Sequence, residues 1–275
     1  MRLKAIDKKY ARGLALSGGG AKGFAHLGAL TLLEEKGLKP DLIIGTSVGS
    51  IMGALYADGY TPAEIKKLFT GREFSEFAEI QVPKSGLFSS RRFKNFLNKH
   101  LRAKTFEELQ MPFIAVATDL DNGQSVEFSS GPLVDAVLAS SSIPILFNPV
   151  FIDGVCYVDG GIFRNFPVAN IRYYCDMVIG VNVSPLVPLA YKKTILNIAE
   201  RSYHYMFRAN TIEDRELCDI LIESEKFGDI RMFDLQNVEQ ISKLGYDAAK
   251  EAVEEAAKKG FPLLKNHLTG GYDSE

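Results

Sequence analysis

The sequence predicts an α/β layer fold built around a mainly parallel sheet. Short apolar runs alternate with segments of helical periodicity along most of the 275 residues, which is the pattern of strands joined by crossover helices. Glycines stand at the ends of several of these segments, where helices usually stop. A hydrophobic content of 46% suffices for a substantial core, and the length suits one large domain or two small ones.

The first part of the chain supplies two predicted strand–helix units. Residues 13–17 and 41–45 read as buried strands, because they are short, apolar and bounded by turn residues. Residues 22–36 and 47–58 read as helices, each followed by a glycine in the C-terminal cap position. A further helix is expected to open at Thr61, where a proline and a glutamate complete a capping-box pattern.

The rest of the chain continues the alternation after one interruption. Residues 72–110 break the pattern with Pro83, Gly86 and exposed-looking Leu87 and Phe88, so we predict a mobile insertion or lid there. Strands are expected at residues 113–118, 124–128, 150–152, 156–158 and 177–183, and helices at 132–139, 194–216 and 238–259. Asp153-Gly154 is expected to form an ordinary turn between two of these strands.

Composition excludes several classes of function. A net charge of −2 favours neither nucleic acid nor an anionic surface as partner. No window holds the eighteen or so apolar residues of a membrane span, and the N-terminal apolar stretch is too short for a secretory signal. Three widely spaced cysteines predict buried free thiols in a reducing compartment, so we expect a cytoplasmic protein. The four histidines form no two-histidine helical metal motif.

Ser47 stands between two glycines where a strand turns into a helix. Residues 45–49 read GTSVG. A nucleophile on such a sharp turn projects out of the backbone, and only glycine fits at the neighbouring positions, here Gly45 and Gly49. Ser47 would also lie at the carboxyl end of a strand, where open α/β sheets bind ligands, and at a helix N-terminus, which favours negative charge. The alternative is an ordinary helix N-cap, for which serine is well suited.

A glycine loop precedes this turn in residues 14–28. Gly18, Gly20 and Gly23 match the dinucleotide-binding pattern G-x-G-x-x-G. That fold requires an acidic residue near the end of the second strand, whereas Asp41 stands at its beginning. Consecutive glycines can also direct backbone N–H groups at one point and bind an oxyanion, as acyl transfer requires. Lys22 either adds positive charge there or is a solvated lysine.

The general base is less obvious from the sequence. His204 and His267 follow Ser47 as in the Ser-Asp-His order, but neither follows a predicted strand end. His26 lies one turn into a helix, where a ring usually packs or caps. Asp159 ends a strand-like run before two glycines and could reach the same sheet edge as Ser47, although Asp-Gly is also a common hairpin turn.

Together these motifs resemble the patatin-like phospholipases. The resemblance rests on GGGAKG at residues 18–23, GTSVG at 45–49 and DGG at 159–161. The ASSSIP run at 139–144 supports it, as do Asn165 and Pro167. It extends from residue 13 to about 183. It implies a three-layer sandwich whose mainly parallel central sheet is flanked by helices. We therefore expect a catalytic core at 10–185, a helical part at 186–265 packed on the same domain, and a frayed tail at 266–275.

The resemblance also implies a Ser–Asp dyad, with Ser47 as the nucleophile and Asp159 as its general base. The implied oxyanion hole comprises Gly18, Gly19, Gly20, Lys22 and Gly23, together with the Val48 N–H, and Gly45, Gly49, Gly160 and Gly161 support the motifs. The implied substrates are acyl esters of lipids, cleaved by phospholipase A or lysophospholipase activity. The resemblance implies no metal and no cofactor.

Three alternatives remain open at this point. They are an esterase or thioesterase for small soluble esters, a non-catalytic lipid-binding protein, and a nucleotide-binding protein. Residues 86–97 mix apolar side chains with Arg91, Arg92 and Lys94, which is typical either of a membrane-surface or lid segment or of an amphipathic helix packed on the core. Peripheral membrane contact is therefore one expectation for this chain.

Overall fold

The protein is a layered α/β structure, seen here in a computed structural model that describes residues 8–80, 85–185 and 210–261, with 193, 194, 198, 202 and 205 between them. The strands are β1 Tyr10–Leu16, β2 Leu42–Thr46, β3 Glu79–Ile80, β4 Gly86–Ser89, β5 Phe113–Asp119, β6 Gln124–Phe128, β7 Ile145–Phe147, β8 Val150–Ile152, β9 Val155–Asp159, β10 Cys175–Asn182 and β11 Ile220–Glu223. The helices are α1 Phe24–Glu35, α2 Val48–Ala57, α3 Pro62–Phe69, α4 Arg91–His100, α5 Leu133–Ser140, α6 Gly161–Arg164, α7 Ala169–Arg172, α8 Ile212–Glu216 and α9 Val238–Lys258.

The main sheet has eight strands in the order β11-β10-β1-β2-β5-β9-β8, with β6 also paired to β5. The pairs from β11 through β5 are all parallel, whereas β6 and β9 run antiparallel to β5, and β8 antiparallel to β9. The prediction of a mainly parallel sheet is therefore confirmed. The antiparallel pairings all involve β5 or β9.

Side chains on the two faces of the sheet enter two separate hydrophobic clusters. Leu14 and Leu16 of β1 pack in the larger cluster, which also contains residues of α1, α2 and α9. Ala15, between them, points the other way and packs with Ile171 of α7. Successive side chains of the strand thus point to opposite faces of the sheet, and helices pack on both faces. The predicted three-layer sandwich is confirmed.

Several element boundaries differ from the predictions, for local reasons. The helix expected from residue 22 begins as a 3₁₀ turn over Gly20–Gly23 and becomes α-helical at Phe24. The helix expected from Ser47 begins one residue later, because Ser47 has a positive φ. The capping box at Thr61 is confirmed, and Asp153 and Gly154 both have positive φ in the expected turn.

Part of the predicted C-terminal helical region lies outside the described residues. Of the helix expected at 194–216, the structure describes α8 and the helical residues 198, 202 and 205. The prediction is wrong at residue 194, which is not helical, and at residues 210 and 211, which form a turn before α8. The tail at 266–275 also lies outside them. Strands β3, β4, β7 and β11 were not predicted, because each is four residues or fewer and shows no clear alternation.

Residues 72–110 contain β3, β4 and α4 within the parts that the structure describes. Phe96 and Leu97 of α4 are buried in the larger core cluster, so the packed-helix interpretation holds for this helix. Strands β3 and β4 join β7 in a separate three-stranded sheet, which we call the small sheet. That the segment opens as a lid stays a prediction. Among the described helices, none combines the length and apolar character needed to cross a bilayer.

Candidate active site

Ser47 occupies a strained turn between β2 and α2. Its φ of 55° and ψ of −125° lie outside the regions that non-glycine residues usually adopt, and its side chain makes no cap hydrogen bond to the helix. The N-cap interpretation is therefore wrong. A Cβ at Gly45 would lie 2.5 Å from the carbonyl carbon of Gly49, and one at Gly49 would lie 2.7 Å from the Ser17 carbonyl oxygen. Both flanking glycines are thus required, because the backbone segments around this turn approach each other too closely for a side chain.

Ser47 and Asp159 meet because β2 and β9 share one edge of β5. Thr46 pairs with Val116 of β5, and Asp159 pairs with Ala117, the next residue along. Strand β6 pairs with residues 115–119 and must occupy the opposite edge. Strands β2 and β9 therefore approach each other head to head, and their carboxyl ends bring the serine and the aspartate together. A Cβ at Gly160 would lie 2.8 Å from the Val116 carbonyl carbon, so this junction also requires glycine.

The Asp159 carboxyl group is fully buried, and burial raises its pKa to about 6. Hydrogen bonds from the Ser47 hydroxyl and the Gly161 N–H oppose this rise, the latter donating to Oδ1 at 2.8 Å. Oδ2, however, has no partner at full hydrogen-bonding geometry among the described residues. The serine hydroxyl is thus near the carboxyl group but not ideally aligned with it. Such contacts commonly tighten only when substrate binds.

Residues Ser140 to Ser142 hold Ser47 and Asp159 in one network. The Ser47 N–H donates to Ser140 Oγ at 2.9 Å, and Ser140 Oγ donates to the Val116 carbonyl oxygen at 2.6 Å. Ser141 Oγ donates to the Ser47 carbonyl oxygen at 3.2 Å, while the Asp159 N–H donates to the Ser142 carbonyl oxygen at 2.9 Å. The sequence singled out this serine run only as motif support. Its contacts depend on a fold in which α5 ends beside β2 and β9.

The glycine loop offers fewer oxyanion donors than the sequence predicts. The Gly18 N–H donates to the Asn165 carbonyl oxygen at 3.0 Å, which removes it from the free donors. We see no partner for the N–H groups of Gly19, Gly20 and Val48 among the residues that the structure describes. Gly18 has a steric role instead, since a Cβ there would lie 2.5 Å from Asn165 Oδ1 and 3.1 Å from Ser47 Cβ.

The remaining members of the loop lie inside the protein. Gly23 is packed against Val48, because a Cβ there would lie 2.6 Å from Val48 Cγ1. Lys22 is only 3% exposed, so the solvated-lysine interpretation is wrong. Its position beside the loop is compatible with a role next to an oxyanion.

The described histidines have structural contacts. His26 Nε2 donates to the Ser17 carbonyl oxygen at 2.9 Å, and burial lowers its pKa to about 4, so it anchors the loop as a neutral ring. His100 packs against Phe96, with ring centroids 4.5 Å apart. His204 and His267 lie outside the described residues. Within those residues, no group of three or more His, Cys, Asp or Glu side chains could hold a metal.

An apolar pocket of about 130 Å³ opens beside Ser47. It is lined by Gly20 and Val48 at the catalytic end, and otherwise mostly by large apolar side chains. These include Ile51, Met52, Leu138, Ile143, Met232 and Leu235, and seven phenylalanines, Phe24, Phe69, Phe74, Phe77, Phe93, Phe147 and Phe233. Such a lining suits a hydrocarbon chain whose polar end lies at Ser47.

Comparison with known proteins agrees with this site. A family described as patatin-like phospholipase matches residues 14–171. An uncharacterized NTE family protein of Mycobacterium tuberculosis is 34% identical over 174 residues, covering 62% of this chain and 48% of that protein. The lysophospholipase NTE1 of Pyricularia oryzae is 32% identical over 193 residues, covering 66% of this chain and 13% of that protein.

Among solved structures, VipD from Legionella pneumophila has a similar fold, with a TM-score of 0.52 and 14% identity. The alignment covers 93% of this chain and 70% of that one. The chain spans about half the length of the mycobacterial relatives that it matches. Because the family match covers more than half of the 275 residues and contains Ser47, Asp159 and the glycine loop, the chain belongs to the patatin-like phospholipase family.

Proposed function

We propose that this chain is a serine hydrolase that cleaves acyl esters of lipids, with phospholipase A or lysophospholipase specificity. The observation that carries the proposal is the junction of β2 and β9 on β5, which brings a strained serine and a buried carboxylate together at the mouth of an apolar pocket. Both side chains are unfavourable for stability in these positions, since one has a strained backbone and the other is desolvated. Such features are typical of catalytic sites.

In the proposed reaction, Asp159 accepts the Ser47 proton as Oγ attacks the ester carbonyl carbon. The negative charge that develops on the carbonyl oxygen is stabilised by the N–H groups of Gly19, Gly20 and Val48. Protonated Asp159 then donates its proton to the departing alcohol oxygen, leaving an acyl ester on Ser47. Water, deprotonated by Asp159, attacks this ester and releases the fatty acid. A carboxyl pKa of about 6 is closer to neutrality than that of a free aspartate and suits both proton transfers.

Steady-state hydrolysis of p-nitrophenyl esters and of lysophosphatidylcholine tests the proposal. Ser47→Ala and Asp159→Asn are expected to reduce kcat by at least about 1,000-fold, because each removes one partner of the proton transfer. Far-UV circular dichroism of both variants should match that of the wild type. Ordinary turnover by either folded variant would refute the assignment.

A second candidate is hydrolysis of small soluble esters or thioesters, which the modest pocket volume of about 130 Å³ favours. Comparison of ethyl hexanoate with hexanoyl lysophosphatidylcholine, which carry the same acyl chain, separates the two candidates. The lipid proposal predicts the higher kcat/KM for the lysophospholipid. The reverse order would support the second candidate. A non-catalytic lipid binder would show neither activity and no reaction with a fluorophosphonate.

We further propose that the small sheet contacts a membrane surface. Three of its apolar side chains are exposed, namely Ile80 at 83%, Leu87 at 39% and Ile145 at 65%. Ile145 also has a φ of 72°, which is unfavourable for a β-branched residue. Phe147 of the same sheet lines the pocket, so lipid bound there would lie next to the catalytic entrance. Arg91 and Arg92 follow β4 and each pairs with Glu79, but their side chains stay 75% and 50% exposed, so we expect them also to contact anionic head groups.

Co-sedimentation with phosphatidylcholine vesicles, with and without phosphatidylserine, tests this contact. The substitution Ile145→Asn removes an exposed apolar group and suits the positive φ, so it should weaken vesicle binding while the fold is kept or stabilised. Tyr173→Asn is the matched control, because Tyr173 is also 65% exposed but precedes β10 at the amino end of the sheet. Equal vesicle binding by wild type and Ile145→Asn would exclude the small sheet as the membrane contact.

A further inference from the structure

The aromatic rings around the pocket form two groups that make no ring contact with each other. Phe69 contacts Phe24, Phe77 and Phe96, and Phe93 joins this first group through Phe77 and Phe96. We call these rings the floor group; Phe24, Phe69, Phe77 and Phe96 are buried. Phe74 is the centre of the second group and contacts Phe88, Phe147 and Phe233. We call these the rim group, and all four are only half-buried.

Phe74 and Phe233 make the tightest ring contact of the rim group, with centroids 4.7 Å apart. They come from distant parts of the chain, Phe74 from the segment before β3 and Phe233 from the turn that precedes α9. Phe74 is the single ring partner of Phe233 among the described aromatic pairs. The neighbouring Met232 is fixed independently, because it is buried and its carbonyl oxygen accepts the Ala21 N–H at 2.7 Å. The Phe233 ring can therefore move without releasing the backbone that supports the glycine loop.

The volume of the pocket limits the size of the acyl chain that fits beside this ring pair. A protein cavity of about 150 Å³ holds one benzene molecule, with six carbon atoms. The pocket here, at about 130 Å³, accommodates an acyl chain of comparable size. The floor rings are closely packed and resist displacement. The half-buried rim rings are therefore the ones that can move when a longer acyl chain binds.

We propose that the Phe74–Phe233 ring pair sets the acyl-chain length that the active site accepts. Chains of up to about six carbons fit with the pair closed, and longer chains enter only by displacing the Phe233 ring. This inference rests on the proposed hydrolase function and adds to it the length of the acyl chain, namely lipid esters whose acyl chain is short, and the residue that determines it. Phe74 lies inside the segment 14–171 that defines the family match and Phe233 lies outside it, so one half of the pair comes from the C-terminal part of this chain.

The test is a kcat/KM profile over p-nitrophenyl butyrate, hexanoate and decanoate, all below their aggregation limits. Wild type should prefer hexanoate to decanoate. Phe233→Ala should raise the decanoate-to-hexanoate ratio at least tenfold, because each methylene that gains burial is worth up to about fourfold. Phe233→Leu should lie between them. Phe128→Ala is the matched control, since Phe128 is also half-buried and contacts one ring, Tyr157, away from the pocket. Its profile should match the wild type.

A second readout does not depend on turnover. In the Ser47→Ala protein, calorimetry with hexanoate and dodecanoate should show that adding Phe233→Ala strengthens dodecanoate binding selectively. If esters are hydrolysed but the chain-length profiles of wild type and Phe233→Ala run parallel, the inference is wrong and the hydrolase proposal stands. If no ester is hydrolysed, the hydrolase proposal fails, and unchanged affinity ratios would then overturn the chain-length inference as well.

Discussion

At the scale of single residues, the site depends on two residues, Ser47 and Asp159, that are in energetically unfavourable environments. Ser47 has a backbone conformation that glycine adopts more readily, and Asp159 carries a carboxyl group without contact to water. Each is tolerated because neighbouring groups fix it. Ser140 Oγ accepts the Ser47 N–H, and the Gly161 N–H donates to the aspartate.

The pKa of Asp159 predicts how activity depends on pH. The carboxyl group accepts a proton from Ser47 only when it is ionised, so kcat/KM should rise with pH and level off above about 6. A pH series with a p-nitrophenyl ester checks this. A profile already flat from pH 4 upward would contradict a buried aspartate as the base.

The same raised pKa predicts a gain in stability when the charge is removed. The native state binds the proton more tightly than the unfolded chain, so stability falls as pH rises from 3.8 to about 6 and stays lower above that range. The difference corresponds to about 3 kcal/mol. At pH 8, Asp159→Asn should therefore unfold at a higher urea concentration than wild type. At pH 4, the two proteins should unfold at about the same urea concentration. A less stable variant at pH 8 would argue that the carboxylate is well solvated or paired.

Ser140 is a positioning residue, because it contacts Ser47 through the backbone and not through the reacting hydroxyl. Ser140→Ala leaves the Ser47 N–H and the Val116 carbonyl oxygen without this partner, and the strained turn should relax. We expect kcat to fall roughly tenfold or more with KM nearly unchanged. Thr31→Ala, which removes a hydroxyl bonded to Leu27 in α1, should keep the wild-type kcat. A rise in KM alone would assign Ser140 to substrate binding instead.

At the scale of elements, the candidate active site forms where two strands approach each other along one edge of β5. The contact is tight at Gly160, where an added Cβ would meet the backbone of Val116. Backbone cannot yield as a flexible side chain can, so any side chain there must move the end of β9 away from β5.

Gly160→Ala tests this junction, since φ of −65° suits alanine and only the contact opposes it. It should lower kcat at least about tenfold and stability by roughly 1–3 kcal/mol. Gly53→Ala in α2 is the control, because its Cβ would meet only the side chains of Phe113 and Ile43. Kinetics and urea unfolding of both variants provide the comparison. Equal kcat for the two variants would show that the junction is not critical.

At the scale of the whole molecule, the fold class can be predicted from the sequence, and so can the meeting of Ser47 and Asp159, because their signals are local. Ser47 is marked at a strand end by a glycine two residues away on either side, and Asp159 by the strand before it. The network from Ser140 to Ser142 and the ring pair Phe74–Phe233 could not be predicted. Both depend on contacts between segments distant in the chain, and serine and phenylalanine have ordinary roles elsewhere. The Gly18 donor was predicted wrongly for the same reason, since its partner Asn165 is remote in sequence.

The most direct test of the central claim is the reaction of Ser47 with a fluorophosphonate, followed by peptide mass spectrometry. We expect a single adduct on the peptide that contains Ser47, absent in Ser47→Ala and formed at least about 100-fold more slowly in folded Asp159→Asn. An adduct on another serine, or labelling of Asp159→Asn at the wild-type rate, would contradict it.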